Sequence, residues 1–288
     1  MKLATFESNG KVAAGYVDGA DIVVCEDGPD AVNAVRRLIE SGSVAAWTGN
    51  SNATRVALDS VKLLAPIPEP RRSIFCVGKN YYAHANEFHS SGFDSSGKEA
   101  VPSAPIIFTK ATTSVVGTDM TVMGSLDPTN SVDYEGELGV VIGKRAFGVG
   151  KQNAYDHVFG YMNVNDVTSR ELQRFHSQWL MGKSIDTFCP MGPWIVTADE
   201  AGDVTKMELE TRINDEIRQK AVVSDLIFDI PTLIETMSRT MTLLPGDVIA
   251  TGTAEGVGIG FKPPKYLVKG DRMSVSFTGL GELNNTIG

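Results

Sequence analysis

The chain has 288 residues, enough for one large domain or a large domain with a small appendage. Apolar residues make up 42% and charged residues 21%, the balance of a soluble globular protein with material for a core. A net charge of −9 without any basic cluster argues against nucleic acid or an anionic membrane as the main partner.

The first residues, MKLATFESNG, lack the apolar core of a signal peptide, and no apolar run approaches the ~18 residues that span a membrane. Cys25, Cys76 and Cys189 are far apart, with no CxxC pair, and are expected to be reduced and buried, which suits the cytoplasm. Residues 1–68 read as a small α+β unit that carries no chemistry. LATF, KVAAGYV and DIVV alternate with Asn-Gly and Asp-Gly turns and are expected strands. A helix is expected from Asp30, as its cap, to Ser41, with Val32, Val35, Leu38 and Ile39 inward and Gly42 ending it. PIPEPRR (66–72) marks the boundary with a main domain over 69–288.

The main domain opens with the buried strand SIFCVG (73–78), which empties into the polar stretch from Lys79 to Pro105. Such a loop suits working residues and a mobile lid. His84 and Glu87 stand three apart in it, side by side on one helical turn. A carboxylate beside an imidazole fixes its tautomer and raises its basicity, giving a general base for water. A surface histidine in a polar loop has equal weight. A His84/Glu87/His89 zinc site is weaker, because a helix sets residues 84 and 89 about 140° apart.

After the strand PIIFTK (105–110) comes SVDYEGELGVVIGK (131–144), apolar enough for an interior strand yet carrying Asp133, Glu135 and Glu137. In an extended chain Glu135 and Glu137 share a face, about 7 Å apart. Buried together they would repel unless a cation lay between them, and a hard one such as Mg²⁺, Mn²⁺ or Ca²⁺ prefers carboxylate oxygen. An exposed edge strand with two ordinary glutamates is the bland alternative.

Asp166, in GYMNVNDVTSRELQRF (160–175), is either the cap of a helix expected over 169–180 or a third ligand. Three protein oxygens would leave about three octahedral positions for water or substrate. Arg170 and Gln173 follow at helical spacing, and Lys183 comes shortly after, either a solvated lysine or a cation beside the metal for an anionic substrate. Further on, a helix is expected near Asp229 with Pro231 in its first turn, then a turn and strand over 243–253, then a final strand pair. MGKS (181–184) lacks the earlier glycine of a phosphate loop, GVGIG (256–260) lacks dinucleotide spacing, and HExxH and GxSxG are absent.

YEGELGVVIGK, NDVTSRELQ, GKSIDTFCPMGPW and DVIATGTAEGVG, in that order, resemble the fumarylacetoacetate hydrolase family over residues 70–288. The resemblance implies an α+β, β-dominated fold of mixed β-roll, barrel-like form, a divalent Mg²⁺ or Mn²⁺ (with Ca²⁺ as a substitute) and a homodimer. It makes Glu135, Glu137 and Asp166 the metal ligands, Lys183 the active-site lysine, and His84 and Glu87 the water-activating dyad of a lid that orders on binding. It places Arg170, Gln173 and Thr253 against the substrate, and Ala254 departs from the proline many members carry there. The implied reaction is hydrolysis of a C–C bond in a β-diketo acid, of acylpyruvate or fumarylpyruvate type, through a pyruvate enolate. Oxaloacetate decarboxylation or isomerisation of an unsaturated oxo-dicarboxylate is the alternative on the same site. A non-catalytic oxo-acid binder is the rival of another class, and the presence of both His84 and Lys183 speaks against it.

Overall fold

The computed structural model describes residues 1–48, 53–94 and 99–288; part of the expected lid, 95–98, lies outside them. The fold is α+β and strand-rich, with three sheets that stay open among the described residues. The largest runs from Arg55–Ala57 through Asp21–Asp27, Lys11–Asp18, Lys2–Ser8, Cys189–Thr197, Val158–Asn165, Gly136–Ile142, Val248–Thr253 and Ile74–Gly78 to Ile106–Lys110. The first strand therefore continues the sheet of the main domain, with Lys2 opposite Val196 and Leu3 opposite Ile195. A five-stranded sheet follows the order Glu216–Val222, Glu208–Ile213, Arg272–Phe277, Glu282–Ile287 and Thr121–Val122. Leu138, Val140 and Ile142 pack with Leu209, Val275 and Phe277 of that sheet and with Leu233, Ile234 and Met237 of a helix to form the main core. No helix is long and apolar enough to cross a membrane among the described residues.

Local rules explain most elements. The helix Ile230–Ser238 starts where expected because Asp229 accepts from the Thr232 N–H and Pro231 costs no hydrogen bond in a first turn. The last two strands pair antiparallel around Gly279–Leu280–Gly281. The N-terminal helix differs from expectation. A 3₁₀ turn covers Pro29–Asn33, the α-helix is Ala34–Ser41, and neither has a side-chain cap, so Asp30 caps nothing; Gly42 does end the helix, in the left-handed conformation. The helix expected over 169–180 is two pieces, Arg170–Phe175 and Leu180–Lys183. All three thiols are free, but Cys25 is half-buried where burial was expected.

Candidate active site

The expected strand over 131–144 is interrupted, and the interruption builds the site. Gly136–Ile142 pairs antiparallel with Val158–Asn165, then both chains leave the ladder at the same level and pair again as Val132–Asp133 with Thr168–Ser169. Glu135 lies in one gap and Asp166 in the other, joined by the Asp166 N–H on the Glu135 carbonyl (2.8 Å). The Asn165 side chain takes the Glu135 N–H (3.0 Å) and Gln219 takes that of Gly136 (3.0 Å), so the gap costs no buried donor. Carboxylate oxygens of Glu135, Glu137 and Asp166 lie within 4.8 Å of one another, all three residues buried.

Three cations surround this cluster. Lys183 Nζ donates to Glu135 Oε2 (2.8 Å) and Asp166 Oδ2 (2.7 Å), and Lys110 Nζ donates to Asp166 Oδ1 (2.6 Å). Arg170 reaches Asp133 through Nε (2.8 Å), and through Nη1 it reaches Glu135 Oε1 (2.6 Å) and the Gln173 side-chain Oε1 (3.2 Å). Asp166 is thus a partner of two lysines and caps no helix. Gly182 lets the Lys183 turn come this close: a Cβ there would stand 2.5 Å from the Gln173 nitrogen and 2.7 Å from the Ser169 carbonyl.

Burial pushes the Glu135 carboxyl up, but Lys183, Arg170 and His84 outweigh it and hold the group down to about 2. Burial also disfavours the charged Lys183, yet Asp166 and Glu135 carry its ammonium above the ordinary value. Glu137 goes the other way. Burial, Asp166 and Glu135 drive its carboxyl well above the ordinary range, against Lys183 and one backbone N–H, from Gly252 (2.9 Å). Among the described residues Glu137 makes no ion pair. Four buried carboxylates with Asp133 therefore face three buried cations, and the uncompensated one belongs to the oxygen-donor trio. An all-oxygen, net-negative set lacking one positive partner fits a hard divalent cation.

His84 lies on the helix Tyr82–Ser91, which packs over the cluster, and it is 4% exposed, which removes the surface-histidine alternative. Its Nδ1 stands 3.2 Å from Glu87 Oε2. His89 turns instead to Asp94 (3.2 Å), so the zinc trio does not assemble. Phe88, one turn on from His84, stands over the Arg170 guanidinium at 6.0 Å. A narrow cleft is lined by His84, Lys183, Arg170, Gln173 and Thr253, with Phe88, Phe108 and Trp179 as its apolar wall. Arg170 Nη2 is buried there without a partner among the described residues, a donor suited to a ligand carboxylate. The Thr253 hydroxyl is engaged inside the protein, donating to the Gly136 carbonyl (3.0 Å) and accepting from Gln219 (2.8 Å).

Eight of the nine sequence-selected residues thus converge with the ninth, Thr253, beside them. Two were missed. Nothing in the strand PIIFTK marks Lys110, and Asp133 stands in the sequence as one acid of the strand 131–144. Asp133 accepts from the N–H groups of Tyr134 (2.9 Å), Gly258 (2.6 Å) and Ile259 (3.0 Å) as well as from Arg170. The glycines of GVGIG, dismissed as a nucleotide loop, were the available signal.

The family model for the fumarylacetoacetate (FAA) hydrolase C-terminal region matches residues 73–288. The chain is 49% identical over 233 residues to oxaloacetate tautomerase YisK of Bacillus subtilis, covering 81% of this chain and 75% of that one. Fumarylacetoacetate hydrolase from psychrophilic Exiguobacterium antarcticum superposes with a TM-score of 0.84 at 39% identity, over 100% of this chain and 99% of the other. Maleylpyruvate hydrolase from Sphingobium sp. SYK-6, solved with manganese(II) and pyruvate, superposes with a TM-score of 0.76 at 32% identity, over 100% and 98%.

Proposed function

The chain belongs to the fumarylacetoacetate hydrolase family, and from that premise we propose a divalent-metal-dependent enzyme that makes and reprotonates the enolate of a small 2-oxo acid, with oxaloacetate as substrate. The observation that carries the proposal is His84, buried over the carboxylate cluster and held at Nδ1 by Glu87. With Nδ1 engaged, Nε2 is the basic nitrogen. A divalent cation on Glu135, Glu137 and Asp166, Mg²⁺ or Mn²⁺ with Ca²⁺ as a substitute, would supply Lewis-acid polarisation of the 2-oxo carboxylate. Arg170 and Gln173 orient that carboxylate, with Arg170 Nη2 as the available donor. Lys183 steadies negative charge on the 2-oxygen, and the aromatic wall excludes water. In the enol-to-keto direction His84 Nε2 takes the proton that the enol oxygen gives up and delivers one to C3, so the imidazole ends as it began. Similarity to an oxaloacetate tautomerase supports this choice.

Hydrolysis of a C–C bond in an acylpyruvate-type β-diketo acid is the second reading, favoured by the full-length likeness to maleylpyruvate hydrolase. The same dyad would then take its proton from water. We propose a cytoplasmic homodimer whose partner is a small-molecule acid, as the family resemblance implies.

The test is one panel of oxaloacetate (presented as enol), acylpyruvates and fumarylpyruvate, with Mg²⁺ or Mn²⁺ and a chelator control. Enol decay would be followed by absorbance while pyruvate, released acid and CO₂ are counted. Metal-dependent enol decay without fragments supports the tautomerase. Pyruvate with an equimolar organic acid moves the assignment to hydrolysis, and pyruvate with CO₂ to decarboxylation. Silence on every compound overturns both.

A further inference from the structure

Glu87 has two oxygens and two partners. Oε2 meets His84 Nδ1 at 3.2 Å, while Oε1 accepts from the Gly256 N–H at 3.0 Å. The loop that supplies this N–H is the glycine run that fits no nucleotide motif, and its far end presses on the same carboxylate. A Cβ built on Gly260 would stand 1.9 Å from Glu87 Oε1 and 2.4 Å from its Cδ. Gly260 closes a 3₁₀ turn, Gly258–Gly260, whose backbone needs no left-handed φ at that position. A side chain there would have to displace the Glu87 carboxylate.

The loop is anchored on its other side to the carboxylate cluster. Gly258 and Ile259 donate their N–H groups to Asp133, and Asp133 also holds Arg170 Nε, whose Nη1 is on Glu135. The Tyr134 hydroxyl donates to the Gly256 carbonyl (2.7 Å), a second tie next to the gap that carries Glu135. One loop therefore touches the partner of His84 on one face and the partner of Arg170 on the other.

We propose that Gly256–Gly260 is a seat for the Glu87 carboxylate that sets the helix Tyr82–Ser91 in register with the Asp133–Arg170–Glu135 network. Gly256 and Gly260 are then positioning residues for His84. Neither touches the reacting atoms. They fix where the imidazole stands by fixing the carboxylate that orients it. The link to turnover rests on the proton-transfer role proposed above for His84, whereas the seat itself stands on contacts alone.

The experiment is a cycle of Gly260→Ala, Glu87→Ala and the double variant in the full-length protein, read by hydrogen exchange over 82–91, manganese affinity and turnover. Gly260→Ala is expected to speed exchange in the helix and to lower kcat about 10- to 100-fold, the scale of a misplaced catalytic group, with manganese affinity unchanged. In the Glu87→Ala background the three atoms nearest the added methyl are gone, so the double variant should exchange like Glu87→Ala alone. Should Gly260→Ala fail to fold, a folded double variant still supports the seat, and an unfolded one overturns it. Unaltered exchange in Gly260→Ala, or an equal added loss in both backgrounds, also overturns it. Normal coupling in exchange with no turnover on any 2-oxo acid would leave the seat standing and remove the proton-transfer role instead.

Discussion

Glu137→Gln gives the sharpest test of the metal assignment, because its stabilising effect should be largely cancelled when the cation is added. In the metal-free protein Glu137 is a buried carboxylate without an ion pair among the described residues, and its folded pKa lies well above the unfolded value of 4.5. A folded pKa raised above the unfolded one means stability that is present below pH 4.5 and is lost as pH rises through the folded value. At pH 7.5 a charge left unpaired in an interior costs about 3–5 kcal/mol, and we take about 3 because the Gly252 N–H and nearby Lys183 offset part of it. With an unfolding entropy near 2.1 cal/mol/K per residue, 288 residues convert about 3 kcal/mol into a Tm rise of about 5 °C for the neutral variant. Manganese at 100 times Kd would add about 2.7 kcal/mol to the wild type, again about 4–5 °C, and much less to the variant. Thermal melts at pH 5 and 7.5, with a chelator or with manganese, measure all four corners. An identical manganese shift in both proteins, or a metal-free variant no more stable than the wild type at pH 7.5, would refute the reasoning.

His84→Gln removes the proposed proton carrier and should lower turnover about 10²–10⁴-fold while leaving the manganese-induced Tm shift intact; a parallel loss of both would point to a structural histidine. Lys110→Met strips Asp166 of a fully buried partner and should cost about 3–5 kcal/mol in denaturant melts of the metal-free protein. A cost below about 1 kcal/mol would mean that Lys183 alone satisfies Asp166. Asp127 closes the turn before the ligand strand: burial raises its carboxyl, but the Thr129, Ser131 and Ser169 donors outweigh it and hold it below 3.8. Its stabilisation is present above pH 3.8 and lost as pH falls through the lower folded value, so Asp127→Asn should cost about 1–2 kcal/mol at pH 7 and progressively less in acid.

Chemistry-bearing residues were legible here because their oddity is local. Glu135 and Glu137 are conspicuous inside an apolar run, and His84 with Glu87 needs only one helical turn. The break at Tyr134–Glu135 was not legible. It depends on a matching break at Asp166–Val167 and on Asn165 and Gln219 filling the gap, a condition set by pairing between distant strands. Lys110 was hidden for the same reason: a lysine at a strand end looks solvated until the sheet sets it 2.6 Å from Asp166. Asp30 misled because Ser, Thr, Asn and Asp before an apolar face signal a cap, whereas Pro29 opens a 3₁₀ turn and delays the α-helix to Ala34.

The junction of Lys2–Ser8 with Cys189–Thr197 has a consequence for the order in which the chain can assemble. The hairpins within residues 2–27 close from neighbouring sequence and can form as soon as they are made. Their outer partner at Val196 arrives some 190 residues later. Lys62–Leu63 covers the inner border of the first strand only at Phe6 and Glu7, so until then its beginning is an open ladder carrying Leu3 and Ala4, residues that are fully buried in the finished protein. Slow synthesis between these two strands, or truncation before Cys189, should therefore favour aggregation through the N-terminal hairpins, even though they stand outside the catalytic cleft.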